Sequence, residues 1–234
     1  MKKAFSRTEN LIGAEAVDKL VNSCVAIFGI GGVGGYVAEA LARSGVGKLV
    51  LVDRDVVSPS NLNRQIIATL SNMGRPKTEL MKERIANINP ACTVETHQCF
   101  YLPENSGKFD FTGYDYVVDA VDTVTAKIQL IMQAEEAGVS VISCMGTGNK
   151  MNPAMLRVED IYRTSVCPLA KVMRRELKKR GITACKVVYS KELPHKSGLI
   201  DEETGKSVPG SMVFVPGAAG LLIASEVVKD LTGV

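Results

Sequence analysis

A strand followed by a glycine-rich turn and a helix constrains the fold of this chain more than any other feature of its sequence. The run Val25–Gly34 reads VAIFGIGGVG, in which Gly29, Gly31 and Gly34 fit the pattern G-x-G-x-x-G and Gly32 adds a fourth glycine. Such glycines let the backbone bend tightly and approach a phosphate, while the helix N-terminus offers free N–H groups to the anion. The pattern predicts a nucleotide-binding loop; the alternative is a turn needed only for tight helix–strand packing.

Short apolar runs alternate with helical patterns along the first two-thirds of the chain. The predicted strands are Cys24–Gly29, Lys48–Asp53, Thr93–Cys99, Tyr116–Ala120 and Val139–Cys144. The predicted helices between them are Val33–Ser44, Lys77–Asn89 and Val124–Gly138. Repeated strand–helix–strand units imply an α/β fold with a Rossmann-like, doubly wound, mostly parallel sheet, which binds ligands at the carboxyl ends of its strands.

The remaining third of the chain has a less regular pattern. Its predicted elements are a strand at Met155–Asp160, a helix at Pro168–Arg180, a strand at Ala184–Ser190, a mobile loop at Lys191–Gly210, a strand at Ser211–Val215 and a helix at Pro216–Leu231. We therefore expect a single domain over residues 1–234, with a nucleotide-binding core at 20–150. Residues 151–234 then form a C-terminal strand and helix extension that faces the substrate.

Composition excludes several other classes of protein. The chain is 46% hydrophobic and 23% charged, which is typical of a soluble globular protein, and its net charge of +3 does not by itself indicate nucleic-acid binding. The most apolar window, Val213–Ser225, has about 13 residues, whereas a membrane-spanning helix needs about 20. The N-terminus MKKAFSRTEN lacks the apolar stretch of a secretory signal. We expect a cytoplasmic protein without a membrane span.

The six cysteines are scattered and form no C-x-x-C pair, so a four-cysteine zinc site lacks its usual spacing. Reduced structural thiols are the simplest interpretation. Cys167 precedes a predicted helix and Cys185 precedes the predicted loop, which makes them candidates for a catalytic thiol. No histidine is evidently paired with either, because the chain has only His97 and His195.

An aspartate at the end of the second strand extends the predicted nucleotide site. Asp53 lies 53 − 34 = 19 residues beyond Gly34. At this position an acidic residue can accept hydrogen bonds from ribose hydroxyls. This signal does not distinguish NAD from ATP.

Charged residues after Asp53 favour ATP. An enzyme that activates a carboxylate with ATP needs cations to balance the triphosphate and the leaving group. Arg64 offers a planar fork of donors to phosphate oxygens, and Lys77 a point charge at the start of a helix. Asp119 and Asp122 follow another strand at the same sheet edge, where Asp122 could hold Mg²⁺ through its oxygens. The alternative for each charge taken alone is a solvated surface residue.

Seven short motifs occur in a fixed order between about Arg7 and Gly148. They are Gly29-Ile30-Gly31-Gly32-Val33-Gly34, Gly45-Val46-Gly47, Asp53-x-Asp55, Ser60-Asn61-Leu62-Asn63-Arg64-Gln65, Gly74-x-x-Lys77, Asn89-Pro90 and Asp119-x-x-Asp122. In these motifs the chain resembles the ubiquitin-activating-enzyme-like adenylyltransferase superfamily. That superfamily includes bacterial activators of sulfur-carrier proteins in the molybdopterin and thiamine pathways.

The resemblance implies a role for each matching residue. It implies that ATP is held by the loop backbone at Gly29, Gly31, Gly32 and Gly34, that Asp53 takes the ribose and that Asp55 lies beside the nucleotide. It also implies phosphate contacts from Asn61, Arg64, Gln65 and Lys77, and Mg²⁺ on Asp122. Arg64, Lys77 and Asp122 are thereby the expected catalytic residues. Arg7 is the expected counterpart of an arginine that reaches across a homodimer to the partner's ATP.

The second part of the chain resembles the tRNA threonylcarbamoyladenosine dehydratases within that superfamily. The matching segments are Asp160-Ile161-Tyr162-Arg163-Thr164, Pro168-Leu169-Ala170, Lys171 to Arg180, Tyr189-Ser190-Lys191-Glu192 and Gly210-Ser211-Met212-Val213-Phe214-Val215-Pro216-Gly217. This likeness implies ATP-dependent ring closure, with loss of water, of the threonylcarbamoyl group on the adenosine beside a tRNA anticodon.

The basic run between Lys171 and Arg180 is the candidate tRNA contact. We expect it to meet phosphates through Arg174, Arg175, Lys178 and Lys179. The alternative is a solvated helix face.

Other functions remain open on the sequence alone. The first is an adenylating activator of a small ubiquitin-like sulfur-carrier protein, acting on a flexible Gly-Gly tail. A nucleotide-sensing interaction protein without turnover and a Rossmann dehydrogenase are more distant. The absent zinc cysteine pairs and the basic run favour the tRNA enzyme. A docking protein from the sulfur-acceptor or cysteine desulfurase systems is a further expected partner.

Overall fold

The computed structural model describes residues 4–195, 198, 200 and 208–234. Its strands are β1 (Cys24–Phe28), β2 (Lys48–Val52), β3 (Thr93–His97), β4 (Tyr116–Asp119), β5 (Ser140–Cys144), β6 (Leu156–Asp160) and β7 (Lys186–Ser190). Its helices are α1 (Ser6–Ile12), α2 (Ala14–Asn22), α3 (Gly34–Ser44), α4 (Lys77–Ile88), α5 (Val124–Ala137), α6 (Pro168–Lys179) and α7 (Phe214–Thr232).

The seven strands form one sheet in the order β3-β2-β1-β4-β5-β7-β6. All neighbouring pairs are parallel except β6 with β7, so β6 is an antiparallel edge strand. The chain moves outward in one direction through β2 and β3, and in the other through β4 and β5. The strand order therefore reverses between β1 and β4, which is where doubly wound sheets bind their ligands. The predicted α/β, Rossmann-like fold is confirmed.

The register of the central strands aligns their carboxyl ends. Phe28, Val52 and Asp119 are the last residues of β1, β2 and β4. Phe28 pairs with both of the others, so the three strands end at the same level. The residues that follow them are Gly29, Asp53 and Ala120. Three loops therefore start side by side at one sheet edge.

Helices cover both faces of the sheet. One face packs against α2, α3, α4 and α7, and the other against α5 and α6. An aromatic cluster around Phe28 fills the second face beside α5, with ring centroids 4.9 Å from Tyr101 and 5.6 Å from Phe109. Because β1, β2 and β4 are almost wholly buried, this packing fixes the strands whose ends carry the predicted site.

The C-terminal helix lies across the start of α3. A Cβ placed on Gly220 would lie 2.5 Å from the Val33 carbonyl oxygen, so only glycine permits this approach. A Cβ on Gly32 would lie 3.4 Å from the Pro216 side chain, which brings the first turn of α7 beside the glycine-rich loop. Although α7 has 19 residues, no helix in the described ranges combines the length and apolar character needed to cross a membrane.

Most elements agree with the sequence prediction to within one or two residues, but the strand predicted at Ser211–Val215 is wrong. Helix α7 begins at Phe214, and Pro216 lies in its first turn, where a missing N–H breaks no intrahelical bond. Helices α1 and α2 were not predicted from the sequence. Part of the mobile loop predicted at Lys191–Gly210 lies outside the described residues.

Candidate active site

Two glycines of the loop after β1 are required by close backbone packing. Gly29 has φ +91°, and a Cβ there would lie 2.6 Å from the carbonyl oxygen of Ala120. A Cβ on Gly34 would lie 1.8 Å from the carbonyl oxygen of Gly29. These glycines therefore let β1, α3 and the loop after β4 meet, as the packing interpretation of the motif requires.

Of the two glycines between them, Gly31 has room for a side chain, whereas a Cβ on Gly32 would lie 3.3 Å from Arg64 Cγ and 3.4 Å from Pro216 Cβ. A Cβ on Gly31 would meet nothing nearer than Gln65 Nε2 at 3.8 Å. Within the described part of the chain, the N–H groups of Gly31, Gly32 and Val33 have no hydrogen-bond acceptor. Unused N–H groups beside an open space at a helix N-terminus are suited to an anion. This half of the loop fits a nucleotide phosphate.

Replacing Gly34 with alanine should therefore destabilise the fold, whereas replacing Gly31 should not. The Gly34 Cβ would force the loop off β1, and overpacking of this kind lowers the free energy of unfolding by about 1–3 kcal/mol. The Gly31 Cβ meets no obstacle. Urea denaturation of both variants tests this difference, and equal midpoints would contradict the packing role of Gly34.

Asp53 links the loop to the end of β2. Its Oδ2 accepts the N–H of Ile30 at 2.6 Å, and its Oδ1 accepts the N–H of Asp55 at 2.8 Å. Burial raises the pKa of Asp53, against the opposing effects of nearby Lys77 and of these two hydrogen bonds. A carboxylate oxygen has more than one lone pair, so Asp53, at the end of β2, can still accept the predicted hydrogen bonds from ribose hydroxyls.

Lys77, at the first residue of α4, places a buried ammonium group at the same edge. Its side chain is 5% exposed, and its Nζ lies 2.9 Å from Asp55 Oδ2 on a carboxylate that is 48% exposed. Arg54 is a further charged residue here that was not predicted from the sequence. Its Nε lies 3.2 Å from Asp55 Oδ1, and its guanidinium stacks 3.5 Å above the Phe100 ring. The only sequence signal for it was its place between two site aspartates.

The segment from Asn61 to Gln65 folds over the open half of the loop. Asn61 Oδ1 accepts the N–H of Ser58 at 3.1 Å, so its side chain also holds the turn. Arg64 lies against Gly32, with its Cγ 3.3 Å from the position of a Gly32 Cβ. Gln65 is 6% exposed, and its buried Oε1 has no hydrogen-bond partner among the residues that the structure describes. An orphaned buried acceptor is costly, so a donor from a bound ligand would stabilise it.

The two aspartates after β4 differ in their surroundings. Asp119 is fully buried, and both of its oxygens lie near Lys127 Nζ, at 3.1 and 3.0 Å, which indicates a structural role. Asp122 is exposed, and its Oδ1 accepts a 3.3 Å hydrogen bond from Thr123. No group of three potential metal ligands occurs among the described residues. Mg²⁺ is commonly held by one or two carboxylates together with the phosphates of a substrate, so the single carboxylate of Asp122 is sufficient for this mode of binding.

Arg7 is not brought to the site of its own chain. It is exposed on α1, and nearby Phe5 packs beside Gly45, where a Cβ would lie 3.6 Å from the ring. Gly45 ends α3, whereas the glycine-rich loop precedes the start of that helix. A role for Arg7 at a nucleotide would therefore need a second copy of the chain.

The four predicted tRNA contacts all lie on α6 but differ in their surroundings. Arg174 donates to the Thr164 carbonyl oxygen at 3.0 Å and also to its hydroxyl, so it anchors the segment before the helix. Arg175 and Lys179 contact Glu176, as does Arg180, and their hydrogen bonds lower the pKa of Glu176 to about 2. Lys178 is exposed.

The two cysteines considered as nucleophiles are buried. Cys167 is 2% and Cys185 is 4% exposed. Burial raises the pKa of Cys185 to about 12, so its thiol stays protonated at neutral pH. His195 instead contacts Glu192, with Nε2 3.2 Å from Oε1. These surroundings fit structural thiols.

Comparison with known proteins agrees with this geometry. The chain is 44% identical, over 99% of its length and 95% of the relative's, to the tRNA threonylcarbamoyladenosine dehydratase of Bacillus subtilis (strain 168). Crystal structures of the Escherichia coli tRNA N6-threonylcarbamoyladenosine dehydratase in complex with AMP and with ATP each match with a TM-score of 0.91 and 32% identity, covering 99% of this chain and 95% of theirs. Residues 5–234 match the ThiF family model. The chain belongs to the ThiF family.

Proposed function

We propose that the protein is an ATP-dependent tRNA threonylcarbamoyladenosine dehydratase. It closes the threonylcarbamoyl group of N6-threonylcarbamoyladenosine, next to the tRNA anticodon, by activating its carboxylate. The observation that carries the proposal is the open half of the glycine-rich loop, which meets Gln65 and Arg64 at the reversal point of a sheet that matches the dehydratases along nearly its whole length.

Carboxylate activation explains why the site has cations and needs no enzyme nucleophile. A free carboxylate reacts poorly because oxide would have to leave. Transfer of a phosphoryl group of ATP to its oxygen creates a good leaving group, and an atom of the carbamoyl group lies close enough to attack the same carbon. The carboxylate oxygen then leaves with the phosphoryl group, for a net loss of one water. Arg64 and Lys77 stabilise the charge on the phosphates.

Mg²⁺ on Asp122 would add positive charge at the phosphates when bound. The exposed carboxylate can contribute one oxygen ligand, and phosphate oxygens can supply others. The loop N–H groups and Asp53 hold the nucleotide so that its phosphates face these groups.

A mass measurement tests the proposed reaction. The protein is incubated with ATP, Mg²⁺ and tRNA that carries the threonylcarbamoyl mark, and the modified nucleoside is weighed after digestion. We expect it to be lighter by one water, only when ATP is present. Unchanged nucleoside, together with adenylation of a carrier protein that ends in Gly-Gly, would instead favour the sulfur-carrier activator.

The C-terminal part of the chain is proposed to face tRNA through α6. Changing Arg174, Arg175, Lys178 and Lys179 together to alanine should make tRNA binding less dependent on salt. Because Arg174 is held by Thr164, we expect the other three to carry most of the effect, a decrease of about 2 in the slope of log affinity against log salt. The double change of exposed Lys82 and Lys108 is the control, and an unchanged slope in the quadruple variant would exclude the patch.

We also propose a homodimer in which Arg7 reaches the partner's ATP. The Arg7→Ala and Lys77→Ala variants should each be inactive but regain activity when their subunits are mixed. One site of the mixed dimer then has its own Lys77 and the partner's Arg7. No recovery after verified subunit exchange, or a fully active monomer, would exclude the arrangement.

The proposed setting is the cytoplasm. A sulfur-acceptor or cysteine desulfurase protein is a further proposed partner, which copurification with the intact chain would detect.

A further inference from the structure

Asn149, in the loop after β5, joins three segments of the chain. Its N–H donates to the Gly210 carbonyl oxygen at 2.7 Å, and its side-chain Oδ1 accepts the Gly210 N–H at 2.6 Å. Its own carbonyl oxygen accepts the N–H of His195 at 2.8 Å. Asn149 has φ +58°, a left-handed conformation that asparagine and aspartate tolerate better than other side chains. The residue type thus suits both the backbone and the hydrogen bond at this position.

Asn63 continues this connection to Arg64. Its Nδ2 donates to the carbonyl oxygen of Ser211 at 2.8 Å, directly beside the residue that Asn149 holds. Its Oδ1 accepts from Arg64 Nη1 at 3.0 Å, and the same Nη1 donates to the Ser60 carbonyl oxygen at 2.8 Å. An unbroken chain of contacts therefore runs from the loop after β5 to the Arg64 guanidinium.

This chain of contacts restrains one end of the guanidinium and leaves the other end available. Nη1 has two acceptors, whereas Nε and Nη2 have none within the described residues. An arginine side chain loses much rotamer freedom when it is ordered, so a side chain ordered before the ligand arrives binds it more tightly. The free donors belong to the planar fork that matches phosphate oxygens.

We propose that Asn63 and Asn149 are positioning residues that set the Arg64 guanidinium for the phosphates of ATP. The inference rests on the ATP site of the proposed function. It assigns roles to two residues that, within the described part of the chain, form no hydrogen bond to the glycine-rich loop or to Asp53. Asn149 holds Gly210 and, through it, the neighbouring Ser211; Ser211 holds Asn63; and Asn63 holds Arg64.

The test measures ATP binding by calorimetry without tRNA. Asn63→Ala removes a hydrogen bond to the charged Arg64 and should weaken ATP binding by about tenfold, while adenosine binding stays unchanged. Asn149→Ala acts through Gly210 and should weaken ATP binding by no more than that, again without an effect on adenosine binding. The double variant should bind ATP no more weakly than the weaker single variant. Asn149→Asp should restore affinity, because it keeps both the acceptor and the tolerance of a left-handed backbone. Asn152→Ala is the matched control, since the one donor to its Oδ1 within the described ranges is the nearby Ala154 N–H.

The Arg64→Ala background separates positioning from general damage. If the two asparagines act through Arg64, Asn149→Ala has no further effect on ATP binding in that background. An equal loss with and without Arg64, or a matching loss of adenosine binding, would overturn the inference, as would unchanged ATP binding in both alanine variants. Wild-type protein that binds ATP but does not dehydrate tRNA would reject the proposed reaction alone. Failure of wild-type protein to bind ATP would overturn both.

Discussion

Replacing Lys77 with alanine is expected to lower the turnover of ATP-dependent dehydration by about 10²–10³-fold, as the loss of one preorganised charge stabiliser does in other enzymes. The Lys77 ammonium is a buried cation beside the end of β2, and its partner Asp55 is half exposed. Charge developing on the phosphates would therefore lose a stabilising group that water replaces poorly in a partly buried site.

The same replacement should leave the fold nearly intact, because Asp55 can be solvated once Lys77 is gone. The lost ion pair should itself lower the free energy of unfolding by less than about 1 kcal/mol, because Asp55 is half exposed, and truncation of the buried Lys77 stem adds a loss of packing. Lys82→Ala removes an exposed lysine from the same helix and should keep full turnover. Turnover near the wild-type value in Lys77→Ala, or an equal loss in Lys82→Ala, would refute the catalytic role of Lys77.

The geometry of the glycine-rich loop and the position of Asp53 could be predicted because the physical constraint is local in sequence. A strand, a glycine turn and the start of a helix within ten residues have few ways to fold. The carboxyl ends of neighbouring parallel strands also meet at one edge of the sheet. Gly29, Gly34 and Asp53 accordingly lie where the spacing placed them. The same spacing could not show that Gly29 and Gly34 serve backbone packing while Gly31 has room for a side chain.

Contacts between distant parts of the chain could not be predicted from the sequence. Asn63 meets Ser211 across 148 residues, and Gly210 meets Asn149 across 61. Asn63 lies within the Ser60–Gln65 motif, but the motif does not indicate its distant partner, and no local signal marks Asn149. Arg54 likewise stacks on Phe100, which is brought close only by the loop after β3.

The wrong strand at Ser211–Val215 has a related cause. A short apolar run before a proline fits either a strand that ends there or the first turn of a helix. Packing of α7 on α3 at Gly220 decides for the helix, and Pro216 is tolerated because the first turn needs no N–H from it. Tertiary contact therefore overrode the local pattern.

Replacing Lys127 with alanine is expected to cause the largest loss of stability, about 3–5 kcal/mol in the free energy of unfolding, because removal of one partner leaves a buried charge uncompensated. Lys127 is 1% exposed, and its Nζ contacts both oxygens of Asp119 and, at 2.7 Å, the carbonyl oxygen of Cys144. The ammonium thus ties α5 to the ends of β4 and β5. Asp119 also accepts the Val121 N–H at 3.2 Å, so the pair supports the loop that carries Asp122.

A double replacement separates the buried charge from simple loss of packing. Lys127→Met with Asp119→Leu removes both charges and keeps apolar volume, so it should destabilise the protein less than Lys127→Ala alone. Lys229→Ala is the matched control: it removes a helical lysine whose side chain is 57% exposed in its pair with Glu226, and it should lower stability by less than about 1 kcal/mol. Chemical denaturation of the three variants decides the question. Equal losses for Lys127→Ala and Lys229→Ala would mean that the Asp119–Lys127 pair does not hold the carboxyl edge of the sheet together.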